Sequence, residues 1–299
     1  MGGDDEYRLA AVLRCDEILR RPTKEGQSKL DTLLIQWVLC VKTMGEHVWG
    51  TSPVPTAGFS AARLAALLCL LLAGLIFWAN PAPAGYYCAN DPRIEAVDLS
   101  APVDQGFLDT MRGIGIRTII RYYDHQDETL PGKTLRQAEH NLIQANGFKT
   151  AVVFQHHNNQ FASFTAERGR QDAERSLALA RENSQPRGSA IYFGVDGPWQ
   201  SAYELASVAA YFRELKASLA GLGYRIGVYG SGLVCNMLVS TGLAELCWLG
   251  APTSWPDYHA YYQTRKWGLA QLRTSQCAGR SLDFNLVNDR VADYGQFAR

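Results

Sequence analysis

Eight short β-rich runs alternate with amphipathic helical stretches over residues 85–299, and this alternation restricts the fold more than any other feature. The runs are Ala96–Ser100, Thr118–Tyr123, Thr150–Gln155, Ala190–Asp196, Arg225–Gly230, Cys247–Ala251, Gly268–Thr274 and Ser281–Asn285. Strands that alternate with helices form an α/β fold around a mostly parallel sheet. Eight such units predict a (β/α)8 TIM-type barrel. An open doubly wound sheet is the alternative.

Side-chain alternation inside the runs predicts which residues face the barrel axis. Successive side chains of a strand point to opposite faces, and in a barrel one face meets the helices while the other meets the axis. If Val97 and Leu99 face the helices, Asp98 faces the axis. The same register turns further polar or aromatic side chains inward, namely Gln155, Asp196, Tyr229, Gln271 and Asp283.

Three of these inward residues are aspartates from the first, fourth and eighth runs. Strands one and eight are neighbours in a closed barrel, so we expect Asp98 and Asp283 to lie close together, with Asp196 at the same mouth. A carboxylate cluster suits glycoside hydrolysis, in which one acid protonates the leaving oxygen and another stabilises or attacks the sugar cation. The alternative is that each aspartate caps a helix or a turn.

Aromatic side chains near the predicted mouth extend the expected site. Tyr122, Trp199 and Tyr229 can stack on sugar rings, and with Gln155 and Gln271 they form the predicted substrate-binding set. Trp199 is the aromatic residue that we most expect to bind sugar, because it follows Asp196 closely. Packing in the core or in loops is the alternative for each aromatic residue.

Neither a metal, a cofactor nor a nucleic-acid partner is expected from the sequence. His156-His157 lacks both the HExxH pattern and a matching carboxylate spacing. Lys and Arg total 29 and Asp and Glu total 29, so the formal net charge is +0 and no basic face for nucleic acid is indicated.

An uncharged apolar run precedes the predicted barrel. Leu64–Ala79 contains 16 residues, follows Arg63, and is followed by the small-residue sequence Ala82-x-Ala84. This layout predicts a secretory signal that is cleaved after Ala84. A signal anchor in the membrane is the alternative, since a spanning helix needs only about 18 apolar residues. Either reading places the protein outside the cytoplasm, secreted or in the cell envelope.

These features divide the chain into three parts. Residues 1–63 form an N-terminal extension, of which the part before Met44 is not translated if Met44 is the true start. Residues 64–84 are the signal segment, and residues 85–299 are the barrel domain.

Four cysteines remain in the predicted exported domain, and an even number in an oxidising compartment indicates two disulfides. Cys88 precedes the first strand and Cys277 precedes the eighth, so both are expected at the bottom of adjacent strands. Cys235 and Cys247 are close in sequence. We therefore predict Cys88–Cys277 and Cys235–Cys247; four free buried thiols are the alternative.

Several of the runs, taken in order, resemble a glycoside-hydrolase-like TIM-barrel family of uncharacterised function that occurs in exported bacterial proteins. That family is related to the family-twenty-five lysozymes, which cut peptidoglycan. The resemblance covers residues 93–288. The runs that carry it are AVDLS (96–100), TIIRYY (118–123), IYFGVDGPW (191–199), IGVYGS (226–231), WLGAP (248–252) and LAQLRTSQCAGRSLDFNLVN (269–288).

The resemblance implies catalytic roles for the aspartates, with one departure. Asp98 and Asp283 match aspartates of the first and last strands of those lysozymes. Their fourth strand ends Asp-x-Glu, with the Glu as general acid, whereas this chain reads Asp196-Gly197-Pro198. Either Asp196 is itself the acid, with a pKa raised by the charges of Asp98 and Asp283, or another group replaces the missing acid.

Loop carboxylates are the candidate replacements, namely Asp124, Asp127 and Glu128. The resemblance thus implies a glycoside hydrolase acting on cell-wall polysaccharide. A catalytically silent glycan-binding module on the same barrel is the alternative. An amidase or esterase on this scaffold is a third possibility, for which the sequence shows no nucleophile.

Overall fold

The computed structural model describes residues 88, 91–125, 130–291 and 293–298. The predicted extension (1–63) and signal segment (64–84) lie outside the described residues, as do Asp127 and Glu128. Within the described part of the chain, none of the helices combines the length and the apolar character needed to span a membrane.

Eight strands of the described residues close into a barrel in chain order. The strands are β1 (Ile94–Asp98), β2 (Thr118–Tyr123), β3 (Lys149–Phe154), β4 (Ala190–Gly194), β5 (Arg225–Gly230), β6 (Leu246–Leu249), β7 (Leu269–Cys277) and β8 (Arg280–Val287). The helices are α1 (Gln105–Gly113), α2 (Gln137–Ala145), α3 (Ala166–Glu182), α4 (Ala202–Leu219), α5 (Gly232–Ser240) and α6 (Tyr258–Thr264), with a 3-10 turn at Phe161–Ser163. The predicted closed α/β barrel is confirmed.

The direction of β8 differs from an all-parallel (β/α)8 barrel. Strands β1 to β7 pair in parallel, whereas β8 is antiparallel to both β7 and β1. Only Ala278 and Gly279 separate β7 from β8, and both have positive φ, 52° and 71°. A two-residue turn of this kind makes a hairpin, while a parallel crossover needs a dozen or more residues. Because β8 runs away from the mouth, Asp283 lies at the mouth although it belongs to the first half of the strand.

Two separate sets of buried side chains follow the predicted alternation. Ala96, Tyr192 and Trp248 belong to the set inside the barrel. Val97 and Phe193 belong to the set that packs between the strands and the helices. Because the inside of the barrel is filled with side chains below the mouth, polar inward residues find space only at the strand ends.

Side-chain caps fix where the helices next to the mouth begin. Thr165 precedes α3, and its hydroxyl accepts a hydrogen bond from the Arg168 backbone N–H. Ser201 precedes α4 and forms a capping box with Glu204. Such caps contribute about 1 kcal/mol each. They anchor the ends of the loops that follow β3 and β4.

Both predicted cysteine pairs are disulfide-bonded, but the predicted location of the first pair was wrong. Cys88–Cys277 and Cys235–Cys247 have Cα–Cα distances of 4.9 and 5.6 Å. Cys277 is the last residue of β7 and lies beyond the level at which Thr274 pairs with Asp283, so this bridge lies at the mouth end. The error came from treating β8 as parallel, which would have put the start of β8 at the bottom.

Candidate active site

A cavity of about 270 Å³ occupies the mouth of the barrel. A neighbouring space of about 410 Å³, which we call the side lobe, shares Tyr122, Gln155 and Asp196 with it and adds Lys133 and His157, among others. Six of the residues expected from the sequence line the cavity, namely Tyr122, Gln155, Asp196, Tyr229, Gln271 and Asp283.

Asp98 lies beneath the cavity wall. It is only 1% exposed and does not line the cavity. Its Oδ1 accepts a hydrogen bond from the Tyr122 hydroxyl at 3.1 Å, and its Oδ2 accepts one from Asn285 Nδ2 at 2.7 Å. Gln271 Nε2 donates to Oδ2 at 3.1 Å. Asp98 is thus connected to the cavity through the side chains of Tyr122 and Gln271, and its expected catalytic role stays a prediction.

The side-chain amide of Gln271 joins this buried carboxyl group to the cavity wall. Its Nε2 also donates to Asp283 Oδ2 at 3.2 Å, and its Oε1 accepts a hydrogen bond from the Tyr229 hydroxyl at 2.7 Å. Asp283 pairs with Asp98 in the β1–β8 register, so the expected proximity of these two aspartates is present. Tyr229 and Gln271 are thus held in fixed orientations on one wall.

Burial and like charge act together on this pair of aspartates. The pKa of Asp98 is raised to about 7, first by burial and then by the neighbouring Asp283, while hydrogen bonds from Asn285, Gln271 and Tyr122 act in the opposite direction. Burial also raises the pKa of Asp283, against a hydrogen bond from Thr274. The Oδ1 atom of Asp283 is buried without a hydrogen-bond partner.

Asp196 lies two residues after the end of β4, and its side chain lines the cavity wall opposite Asp283. Gln155 Nε2 donates to its Oδ2 at 3.0 Å, and its backbone N–H donates to the Asn158 carbonyl at 3.0 Å. Gly194 makes room for this arrangement, since a Cβ at that position would lie 3.3 Å from the Gln155 side chain.

The pKa of Asp196 is raised, as expected, but the main cause is different. Burial is the largest contribution, Gln155 and Lys133 lower the pKa, and the charge of Asp283, which raises it, comes after these in size. Burial, and not crowding by the other aspartates, is therefore the main cause of the raised pKa.

Lys133 was missed in the sequence, because it lies in a loop where no periodicity applies. Its Nζ donates to the Gln155 carbonyl at 2.7 Å and lies 3.5 Å from Asp124 Oδ2. It also lies 5.1 Å from the centre of the Tyr122 ring. Burial lowers its pKa, against the attraction of Asp124 and Asp196. The chain thus brings one lysine next to the Gln155–Asp196 pair.

Trp199 does not line the cavity or the side lobe, contrary to expectation. Its ring covers Gly197, where a Cβ would lie 2.5 Å from it, and packs 5.5 Å from Phe161 and 6.2 Å from Phe164. Pro198, at the position that the lysozyme resemblance assigns to the general acid, is exposed. Trp199 therefore packs against apolar neighbours beside the site.

Asp124 is not placed to replace the missing acid. It is fully buried, and its Oδ1 is bonded to His156 Nδ1 at 2.5 Å. Asp127 and Glu128, the other two candidates, lie outside the described residues. Among the described residues, no group of three or more His, Cys, Asp or Glu side chains is arranged to hold a metal ion.

Comparison with known proteins gives a family match and related folds. The model of the Rv2525c-like, glycoside hydrolase-like domain family matches residues 109–289. The crystal structure of the Mycobacterium tuberculosis Tat-secreted protein Rv2525c in complex with HEPES has a TM-score of 0.57 and 21% sequence identity, covering 69% of this chain and 100% of that one. This match shows a shared fold.

Two further matches are a solved structure and a curated relative. A family 25 glycosyl hydrolase from Bacillus anthracis has a TM-score of 0.44 and 13% identity, covering 72% of this chain and 100% of that one. The uncharacterized protein FadG of Bacillus subtilis is 22% identical over 206 residues, which are 67% of this chain and 36% of FadG. The chain thus spans about a third of the length of that curated relative, given the 36% coverage.

Proposed function

Because the chain belongs to the Rv2525c-like, glycoside hydrolase-like domain family, we propose that it hydrolyses a cell-wall glycan of the peptidoglycan type in the mouth cavity. One observation carries this proposal. Asp196 and Asp283 both line a single cavity, burial raises the pKa of both, and each accepts a hydrogen bond from a glutamine amide. Two carboxyl groups with these properties are what acid–base hydrolysis of a glycosidic bond requires.

The chemistry needs one protonated and one ionised carboxyl group. The protonated group transfers its proton to the glycosidic oxygen as the bond from the anomeric carbon to that oxygen breaks. A water oxygen bonds to the anomeric carbon, and the ionised group accepts a proton from that water. Asp98, bonded to Tyr122 and Gln271, holds both side chains in place beneath the reacting groups.

The remaining cavity residues suit a sugar. Tyr122 and Tyr229 present rings to the cavity, and sugar faces pack against aromatic rings. Gln155 presents an amide that pairs with sugar hydroxyls, while Gln271 orients Tyr229 and Asp283 on the other wall. The preference for peptidoglycan rests on the sequence resemblance to the family-twenty-five lysozymes.

We also propose that the barrel domain acts outside the cytoplasm. Two disulfides are typical of exported proteins, and the similar protein Rv2525c is Tat-secreted. Cleavage after Ala84 would release a secreted domain of residues 85–299, whereas an uncleaved Leu64–Ala79 would anchor it in the membrane.

Release of reducing ends from purified peptidoglycan tests the proposed activity. We expect the wild-type protein to release them and Asp196→Asn to reduce the rate by about 10²-fold or more, because an essential acid–base group is lost. Asp109→Asn, which alters an exposed carboxylate on α1, is the matched control and should not change the rate. Circular dichroism checks that both variants fold.

A catalytically silent glycan-binding module is the second candidate, and the exposed proline at position 198 favours it. On this alternative the wild-type protein co-sediments with peptidoglycan but releases no reducing ends between pH 4 and 8. Asp196→Asn would then weaken binding only, and Pro198→Glu would not create activity. That combination of results would refute the hydrolase proposal.

A further inference from the structure

Asp196 and Asp283 differ in the charge of their nearest ionisable neighbour. The neighbour of Asp196 is the cation Lys133, which is linked to it through Gln155. Lys133 Nζ donates to the Gln155 carbonyl at 2.7 Å, and the Gln155 amide donates to Asp196 at 3.0 Å. Lys133 also faces Asp124, but His156 already bonds that carboxylate at 2.5 Å. A cation at this position favours the ionised form of Asp196.

Asp283 has an anion as its neighbour. Gln271 Nε2 bonds both Asp98 and Asp283, at 3.1 and 3.2 Å, so the two carboxyl groups lie on either side of one nitrogen. Two carboxyl groups so close cannot both be ionised without a large electrostatic cost. The other titratable groups near them are the hydroxyls of Tyr122 and Tyr229, whose pKa values burial raises further, so both remain neutral.

The hydrogen bonds indicate where the proton of this pair resides. Both oxygens of Asp98 accept hydrogen bonds, Oδ1 from Tyr122 and Oδ2 from Asn285, so a proton on either oxygen would displace a donor. Asp283 Oδ1 has no partner, and a proton there displaces nothing. The neutral member of the pair is therefore Asp283, which also lines the cavity.

We propose that Asp283 is the proton donor of the site, that Asp196 is its ionised carboxylate, and that Asp98 and Lys133 are positioning residues that separate the two protonation states. This inference rests on the proposed hydrolase function. Asp283 gives its proton to the leaving oxygen, water bonds to the anomeric carbon, and Asp196 takes a proton from that water. Solvent then returns a proton to Asp283 and removes one from Asp196. The lysozyme resemblance places the general acid at the end of β4, whereas here the acid is on β8 and β4 contributes the ionised carboxylate.

Carboxyl-carbon NMR of the full-length protein, labelled with ¹³C at the aspartate side-chain carboxyl, tests the assignment without any turnover. Asp196→Asn and Asp283→Asn identify the two signals. We expect Asp283 to titrate at higher pH than Asp196, and Lys133→Met to raise the pKa of Asp196. Lys133→Arg, which keeps the charge, should restore most of the difference, and Lys149→Met, which changes an exposed lysine at the start of β3, should have no effect. Asp196 titrating above Asp283, or not responding to Lys133→Met, would overturn the proposal.

Leaving-group dependence gives a second, kinetic test. A dinitrophenyl glycoside of an N-acetylglucosamine oligosaccharide needs little protonation of its leaving group, unlike peptidoglycan. We expect Asp283→Asn to lose about 10²-fold or more on peptidoglycan but less than about 10-fold on the dinitrophenyl substrate. Asp196→Asn should lose activity on both, and the reverse pattern would contradict the assignment. If the wild-type protein cleaves neither substrate, the proposed function fails, and the NMR titration still decides the protonation states.

Discussion

The β4 side and the β8 side of the cavity contain the same chemical unit in different surroundings. On each side a glutamine amide donates to an aspartate carboxyl group, from Gln155 to Asp196 and from Gln271 to Asp283. On the β4 side the next charged group is a loop lysine. On the β8 side it is Asp98, a carboxylate fixed inside the barrel. The comparison shows that the direct hydrogen bond does not distinguish the two aspartates, whereas the next charged neighbour does.

The two sides also differ in how firmly they are held. The β8 side is a continuous buried network, in which the Trp248 indole donates to Asn285 and the Tyr229 hydroxyl donates to Gln271. A disulfide at Cys277 lies at the end of the adjoining hairpin. The β4 side depends on loop segments and single hydrogen bonds. Connected buried hydrogen bonds strengthen one another, so the β8 side should contribute more to stability although Asp283 Oδ1 has no partner.

The largest expected effect is the loss of the disulfide on the β8 side. Cys88 and Cys277 are 189 residues apart, whereas Cys235 and Cys247 are 12 apart. Loop-closure entropy predicts a loss of about 5 kcal/mol in the free energy of unfolding for Cys88→Ala with Cys277→Ala, against about 3 kcal/mol for Cys235→Ala with Cys247→Ala. Urea unfolding of the two double variants measures the difference. Equal losses of unfolding free energy in the two double variants would contradict a larger contribution of the β8 side to stability.

Next in size is a pH dependence of stability that belongs to the β8 side. Asp98 and Asp283 form a coupled group that keeps one proton in the folded state well above the ordinary aspartate range, since the pKa of Asp98 is raised from 3.8 to about 7, so between these values the folded protein binds more protons than the unfolded chain. Stability from this group is therefore complete at low pH and falls as pH rises towards 7, by on the order of 4 kcal/mol.

Asp98→Asn should reduce this slope, because Asp283 then has no neighbouring carboxyl group with which to share a proton. Urea unfolding at pH 5 and pH 8 measures the change in slope, whatever the absolute stability of the variant. Asp109→Asn, on the surface, serves as the control and should leave the slope unchanged. A slope that is unchanged in Asp98→Asn would show that the Asp98–Asp283 pair does not cause it.

The smallest expected effect compares the two glutamines directly. Gln271→Leu leaves Asp98 and Asp283 without their shared donor and Tyr229 without its acceptor, and we expect a loss of about 3 kcal/mol. Gln155→Leu removes one hydrogen bond to a partly exposed carboxylate and should cost about 1 kcal/mol. Thermal or urea unfolding of both variants provides the measurement. A larger loss for Gln155→Leu would reverse the comparison.

Much of the barrel was predictable from local patterns. Period-two alternation placed Val97 and Phe193 on the outer face and Tyr192 inside, because side-chain direction along a strand depends only on position parity. The hairpin between β7 and β8 was also visible in principle. Residues 275–280, between the two predicted runs, are too few for a crossover helix. The antiparallel direction of β8 could therefore have been found from loop length.

The sequence by itself determined the closed α/β barrel, the inward register of the polar strand-end residues, and the pairing of the four cysteines in the barrel domain. The tertiary structure decided the rest of the site. It buried Asp98 beneath Gln271, turned Trp199 towards Phe161, and brought Lys133 to the Gln155–Asp196 pair. These outcomes depend on contacts between residues that are distant in sequence and on loops without periodicity. Local propensity contains no information about such contacts, whereas the electrostatics of the carboxyl groups depends on them almost entirely.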